Sequence, residues 1–153
     1  MELPEHFLMQ TAILVLAICG FFVARHIYKH KDSRNKPLVC PIRFDCHTVV
    51  HSDYSKFCVV PVEIWGMIYY AVISLAYIFF IIINEVVPVL FVGFIILLSI
   101  TAFLFSVYLI CVQIFILKKG CSWCIVSAFI CLVIFILTMV NYDFSYVLQI
   151  FAR

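Results

Sequence analysis

Charge is scarce in this chain. Lysine, arginine, aspartate and glutamate make up 12% of its 153 residues, and 67% are hydrophobic. A soluble domain carries about 25% charged residues, so a soluble globular protein of this size is excluded. Glycine and proline are also few, at four and five, which suits helices joined by short turns. The alternating segments of about ten residues that mark a membrane β-barrel are missing, and continuous apolar runs stand in their place. The N-terminus lacks a basic stretch and a small-x-small cleavage site, so the first apolar run is expected to remain as a span and not to act as a signal peptide. No internal repeat, low-complexity segment or second domain is visible, and no feature points to nucleic acid. A net charge of +2 says little by itself.

What is present reads as an all-α membrane protein, a bundle of four transmembrane helices. The spans are expected at about 7–27, 62–83, 89–117 and 122–142, within a single domain covering 1–153. The third run exceeds the roughly 20 residues a span needs, so it tilts or protrudes. Trp65 and Tyr69-Tyr70, near the start of the second span, are most simply an interfacial belt. The tail after Asp143 is amphipathic and is expected to return to the interface. Residues 28–60 form the only long polar stretch. It opens on a basic cluster, Lys29, Lys31, Arg34 and Lys36, and continues through Cys40 and Cys46. A short amphipathic helix follows, with Val49, Val50, Tyr54 and Phe57 as its apolar residues, lying across the membrane surface or lidding something beneath it. This loop follows the first span and the Lys118–Cys121 turn follows the third. With four spans, both face the same side.

The chain has eight cysteines. Cys121 and Cys124, in Gly120-Cys-Ser-Trp-Cys124, open the fourth span. Two cysteines three apart at a helix start share a face, and the unpaired N–H groups of the first turn favour a thiolate there. Cys40 and Cys46 lie close enough in the loop to pair. Two dithiols on one side of a membrane suggest a relay by thiol–disulfide exchange, with a mobile arm and a fixed station. A static disulfide bracing the loop is the plainer reading of Cys40 and Cys46. Cys19, Cys111 and Cys131 are read as small apolar residues on span faces, with Cys131 on nearly the same face as Cys124. Ser52 reads as a cap or turn residue, His47 and His51 as interfacial polar groups or proton carriers, and Glu63 as a hydrated span end or a functional carboxylate. A zinc site built on Cys40, Cys46, His47 and His51 is the competing chemistry, although the gap between the cysteines is wider than the usual knuckle.

The ordered series Cys40, Cys46, Val49, Ser52, Tyr54, Pro61, Gly66, Tyr69-Tyr70, Tyr108, Gln113, Cys121-x-x-Cys124 and Ser127-Ala128 resembles the vitamin K epoxide reductase family. The nearest type is its prokaryotic quinone-linked disulfide-forming members. The resemblance spans about residues 8–142. It implies that Cys40 meets a thioredoxin-like partner, that Cys46 exchanges with Cys121, and that Cys124 reduces a quinone, ubiquinone or menaquinone. Ser52 would help seat the loop over that quinone. No fused thioredoxin-like domain follows within the 153 residues, so the partner is expected in trans. Vertebrate members place an asparagine and a tyrosine against the vitamin K head group. Val62 and Ala128 stand at the matching positions here, which counts against the epoxide as substrate. Cys58 stands where relatives usually carry glycine. The same fold run as a quinone or quinone-epoxide reductase with a dithiol donor is the alternative.

Membrane orientation has two opposed signals. Nine of the ten lysines and arginines lie on the cysteine side and only Arg153 on the other, which by the positive-inside rule puts the cysteines in the cytoplasm. Persistence of disulfides and the resemblance put them outside. The extracytoplasmic side is the expectation.

Overall fold

A computed structural model describes residues 3–31, 46–83, 88–142, 148–149 and 152. Helix α1 covers Leu3–Lys31 and a short α2 covers Cys46–Val50. A 3-10 turn at Asp53–Ser55 leads into an antiparallel ribbon of β1 (Lys56–Phe57) and β2 (Val60–Pro61). Then come α3 (Val62–Ile83), α4 (Val89–Cys111), a π-helical turn at Val112–Leu117 that extends α4, and α5 (Ser122–Asn141). Four of these segments are long and apolar enough to cross a membrane: Glu5–Lys31, Val62–Ile83, Val89–Leu117 and Ser122–Asn141. Within lipid a helix satisfies its backbone hydrogen bonds internally, which is why these apolar runs become helices. Their outer faces carry Leu75, Ile82, Leu90 and Phe129, all exposed, as lipid-facing residues should be.

Helix α1 packs along α3 and α5, and α4 packs on α5. His6 and Asn141 are hydrogen-bonded at 2.9 Å at one end of the bundle. At the other end Ile27 clusters with Cys121, so α1 and α5 run antiparallel. Tyr70 holds three helices together. Gly20 of α1 lies against its ring, where a Cβ would overlap it. Its hydroxyl donates to the Ser127 carbonyl of α5 at 2.8 Å and lies 3.1 Å from Ser127 Oγ. Tyr69 and Tyr70 are therefore buried inside the bundle and not part of an interfacial belt, whereas Trp65 is exposed. Charge-free packing between helices, not the membrane boundary, determines where these two rings sit.

The loop segment is shorter in helix than its apolar pattern suggests. After Val50 the chain turns: Ser52 Oγ donates to the Val49 carbonyl at 2.8 Å and Ser55 Oγ to the Ser52 carbonyl at 2.7 Å. Such local hydroxyl bonds compete with helix continuation. Tyr54 and Phe57 consequently leave the helix, though both still face the same cavity as Val49 and Val50. The ribbon turn places Cys58 at φ 52° and Val59 at φ 71°. Two-residue ribbon turns with both φ values positive favour glycine or asparagine. That is the physical reason a glycine suits position 58.

Candidate functional site

Cys121 caps α5. Its backbone is extended, its carbonyl accepts the Ile125 N–H at 3.0 Å, and its Sγ accepts the Cys124 N–H at 3.4 Å. Its own N–H, buried, donates to Gln113 Oε1 at 3.3 Å. Gln113 sits in the π-helical turn, which ends on Lys118 in the left-handed region. That turn brings a buried amide against the residue that caps α5. The Cys124 thiol, together with the Cys124 and Trp123 N–H groups, holds the Cys121 thiol below its ordinary range. Burial and the Glu63 carboxylate act the other way.

Both cysteines touch one apolar cluster, but only Cys124 also borders a cavity. Cys121 is fully buried in a cluster with Ile27, Cys46, Val49 and Val50. Cys124 is half-buried and lines a cavity of about 450 Å³ in the cysteine half of the bundle. Cys121 and Cys124 are free thiols, and Cys46 is held in a disulfide. Cys40 lies outside the described residues. Cys19, Cys58 and Cys111 are exposed, and Cys131 is buried against the cavity.

That cavity is lined mostly by apolar side chains from α3, α4 and α5 and roofed by Val49, Val50, Ser52 and Tyr54. Ser52, Val62, Cys124 and Ala128 all border it. α3 and α4 pack only lightly on one another, and the cavity occupies the space between them, bounded by Ile68, Val72, Leu98 and Phe105.

Glu63 also borders the cavity and is engaged there. Lys31 Nζ lies 3.4 Å from both of its carboxylate oxygens and donates to Ser55 Oγ at 3.3 Å. The pair ties the end of α1 to the start of α3 and to the loop. His51, exposed, meets the Lys31 carbonyl at 3.1 Å. A further contact had no counterpart in the sequence reading: the His26 ring lies 4.7 Å from Trp123, between the two cysteines, and 4.1 Å from His30. The i, i+4 spacing of His26 and His30 was visible, but its meeting with Trp123 was not. Gln113, a lone amide in an apolar run, was the one legible signal for the cap. Among the described residues, no three His, Cys, Asp or Glu side chains gather as a metal site would require. The Cys40 and His47 side chains of the zinc reading lie outside the described residues.

No curated protein matches this chain. The sequence profile of the vitamin K epoxide reductase family matches residues 11–139, most of its length.

Proposed function

The chain belongs to the vitamin K epoxide reductase family, and we propose that it is a thiol:quinone oxidoreductase that makes disulfides in a partner protein. Membership makes it a multi-pass membrane oxidoreductase of quinone and disulfide chemistry. The direction, the donor and the site residues are our reading, with the whole chain taken as one catalytic domain.

A reduced thioredoxin-like protein attacks the disulfide of Cys40 and Cys46, leaves oxidised, and transfers two electrons and two protons to that pair. Cys46 then attacks the disulfide of Cys121 and Cys124 at Cys121, and its own disulfide with Cys40 re-forms. The Cys121–Cys124 dithiol reduces the quinone to a quinol. Two electrons and two protons leave, and the Cys121–Cys124 disulfide closes. The net exchange is one partner dithiol and one quinone for one partner disulfide and one quinol.

One observation carries this reading: Cys121 is packed with Cys46, while its neighbour Cys124 opens on the cavity. A dithiol so divided can receive electrons on one side and deliver them on the other. The cavity is apolar, as a ubiquinone or menaquinone ring requires, with Ser52, Val62 and Ala128 around it. The isoprenoid tail would leave between α3 and α4.

Quinone absorbance, followed with purified protein and a reduced thioredoxin-like donor, tests the assignment. Loss of the quinone band should need both the donor and Cys124, and Cys124→Ser should abolish it. No reduction with any common quinone sinks the proposal. We place the cysteines on the extracytoplasmic side. A maleimide that cannot cross membranes should label Cys58, exposed in the same loop, in intact cells, and labelling only after lysis reverses that orientation.

A further inference from the structure

Helix α1 carries two stripes with opposite surroundings. Ile13, Ala17, Gly20, Ala24 and Ile27 recur every three or four residues and are buried, where α1 packs on α3 and α5. On the opposite side Val15, Ile18 and Phe22 are exposed, as lipid-facing residues should be. Continued in the same register, this outer stripe reaches Arg25 and Lys29, both exposed. Helix geometry gives their depth. Phe7, exposed near the other end of α1, precedes Arg25 by 18 residues, which is about 27 Å of helix. The hydrocarbon core of a bilayer is about 30 Å thick. Arg25 therefore stands at its edge, and Lys29, about 6 Å further on, stands among the headgroups.

These two cations differ from their neighbour Lys31, which is engaged by Glu63 and Ser55. Among the described residues, neither Arg25 nor Lys29 forms an ion pair or a side-chain hydrogen bond. Spaced i, i+4, they are like charges side by side, which by itself opposes the helix. An anion between them removes that repulsion. Arginine offers phosphate a planar fork and lysine a point charge. A soluble acidic partner approaches past the end of the bundle, whereas these side chains leave α1 on its lipid side. The anion found at that depth is the phosphate of a lipid headgroup. A zwitterionic headgroup carries its own cation beside the phosphate, so a net-anionic one fits better. We propose that Arg25 and Lys29 together form a binding site for the phosphate of an anionic phospholipid, on the outer stripe of α1 at the cysteine end of the bundle. The site is separate from the redox centre and does not depend on the quinone reading.

Short-chain phosphatidylglycerol, titrated into the full chain in an uncharged detergent, tests the site. A ligand that binds the folded state raises the melting temperature, and the concentration dependence gives an apparent Kd. Phosphatidylglycerol should raise it more than phosphatidylcholine of the same chain length. Arg25→Gln and Lys29→Gln should each increase the apparent Kd about fivefold, the usual worth of one cation at an anionic membrane surface. Lys118→Gln, which removes an exposed cation at the end of α4, should leave it unchanged. Without lipid, the double variant Arg25→Gln, Lys29→Gln should melt with the wild type, because both side chains are exposed. Equal responses to the two lipids, or an unchanged Kd in Arg25→Gln and Lys29→Gln, overturn the site. An equal loss in Lys118→Gln overturns it in favour of a diffuse field from the whole basic rim. Sodium phosphate that reproduces the shift at the same concentration makes this a site for a free anion and overturns the lipid assignment. A double variant that melts lower without lipid gives the two cations a structural partner and overturns it as well.

Discussion

The amide of Gln113 and the backbone of Cys121 are joined directly: Gln113 Oε1 accepts the Cys121 N–H at 3.3 Å, both residues buried. The π-helical end of α4 thus holds the first residue of the dithiol. Gln113→Leu leaves that N–H unsatisfied and should destabilise the protein by about 1–3 kcal/mol. Urea unfolding in detergent measures it. A loss below a few tenths of a kcal/mol would mean another acceptor takes over.

The acidity of Cys121 depends on Cys124. The Cys124 thiol is the largest influence holding the Cys121 value down. Thiolate absorbance in the ultraviolet, followed against pH in the reduced protein, should therefore begin below the ordinary thiol range. Cys124→Ala should move the Cys121 titration upward, because burial and Glu63 then act with less opposition. The sign for stability follows. A value lowered on folding favours the folded state above the unfolded-state thiol value, and that contribution fades as pH falls through the lowered value. An unmoved Cys121 titration in Cys124→Ala would contradict the hydrogen-bond origin.

Lys31 and Glu63 form a shielded ion pair, their side chains 13% and 8% exposed. Breaking such a pair from one side leaves a charge without its partner. Lys31→Met or Glu63→Gln should each destabilise by about 3 kcal/mol. The double variant Lys31→Met, Glu63→Leu should lose less than the sum, and thermal unfolding gives the coupling. Additive losses would show that the two residues act separately.

Cys58 occupies a backbone conformation that a side chain disfavours, at φ 52°. Cys58→Gly should stabilise the protein by about 1 kcal/mol. Quinone reduction should be unchanged, because Cys58 is exposed and does not line the cavity. A melting temperature that falls, or turnover that drops, would give this thiol a role of its own.

Legibility in the sequence followed the range of the interactions. Trp65 and the Tyr69-Tyr70 pair look alike as aromatics near a span start. Only the packing separates them, because Tyr70 is held by Gly20 from α1 and Ser127 from α5, residues distant in the chain. Tyr54 and Phe57 kept apolar helical spacing with Val49, yet hydroxyl bonds from Ser52 and Ser55 ended the helix first. Lys31 read as one more cation in a basic cluster, and its partner Glu63 read as a hydrated span end. Their meeting across the α1–α3 corner was not readable from either segment.

By itself the sequence determined the membrane class, the four spans and their parity. Long apolar runs must satisfy their backbone internally as helices, and an odd number of crossings separates one side from the other. It also set the Cys-x-x-Cys spacing, which needs only one helical turn. Tertiary structure alone decided that Cys121 packs with Cys46 while Cys124 borders a cavity, and that Gln113 reaches the Cys121 N–H from the end of α4. Those outcomes depend on how separate helices pack together, and a local pattern of residues carries no record of which neighbour each face will meet.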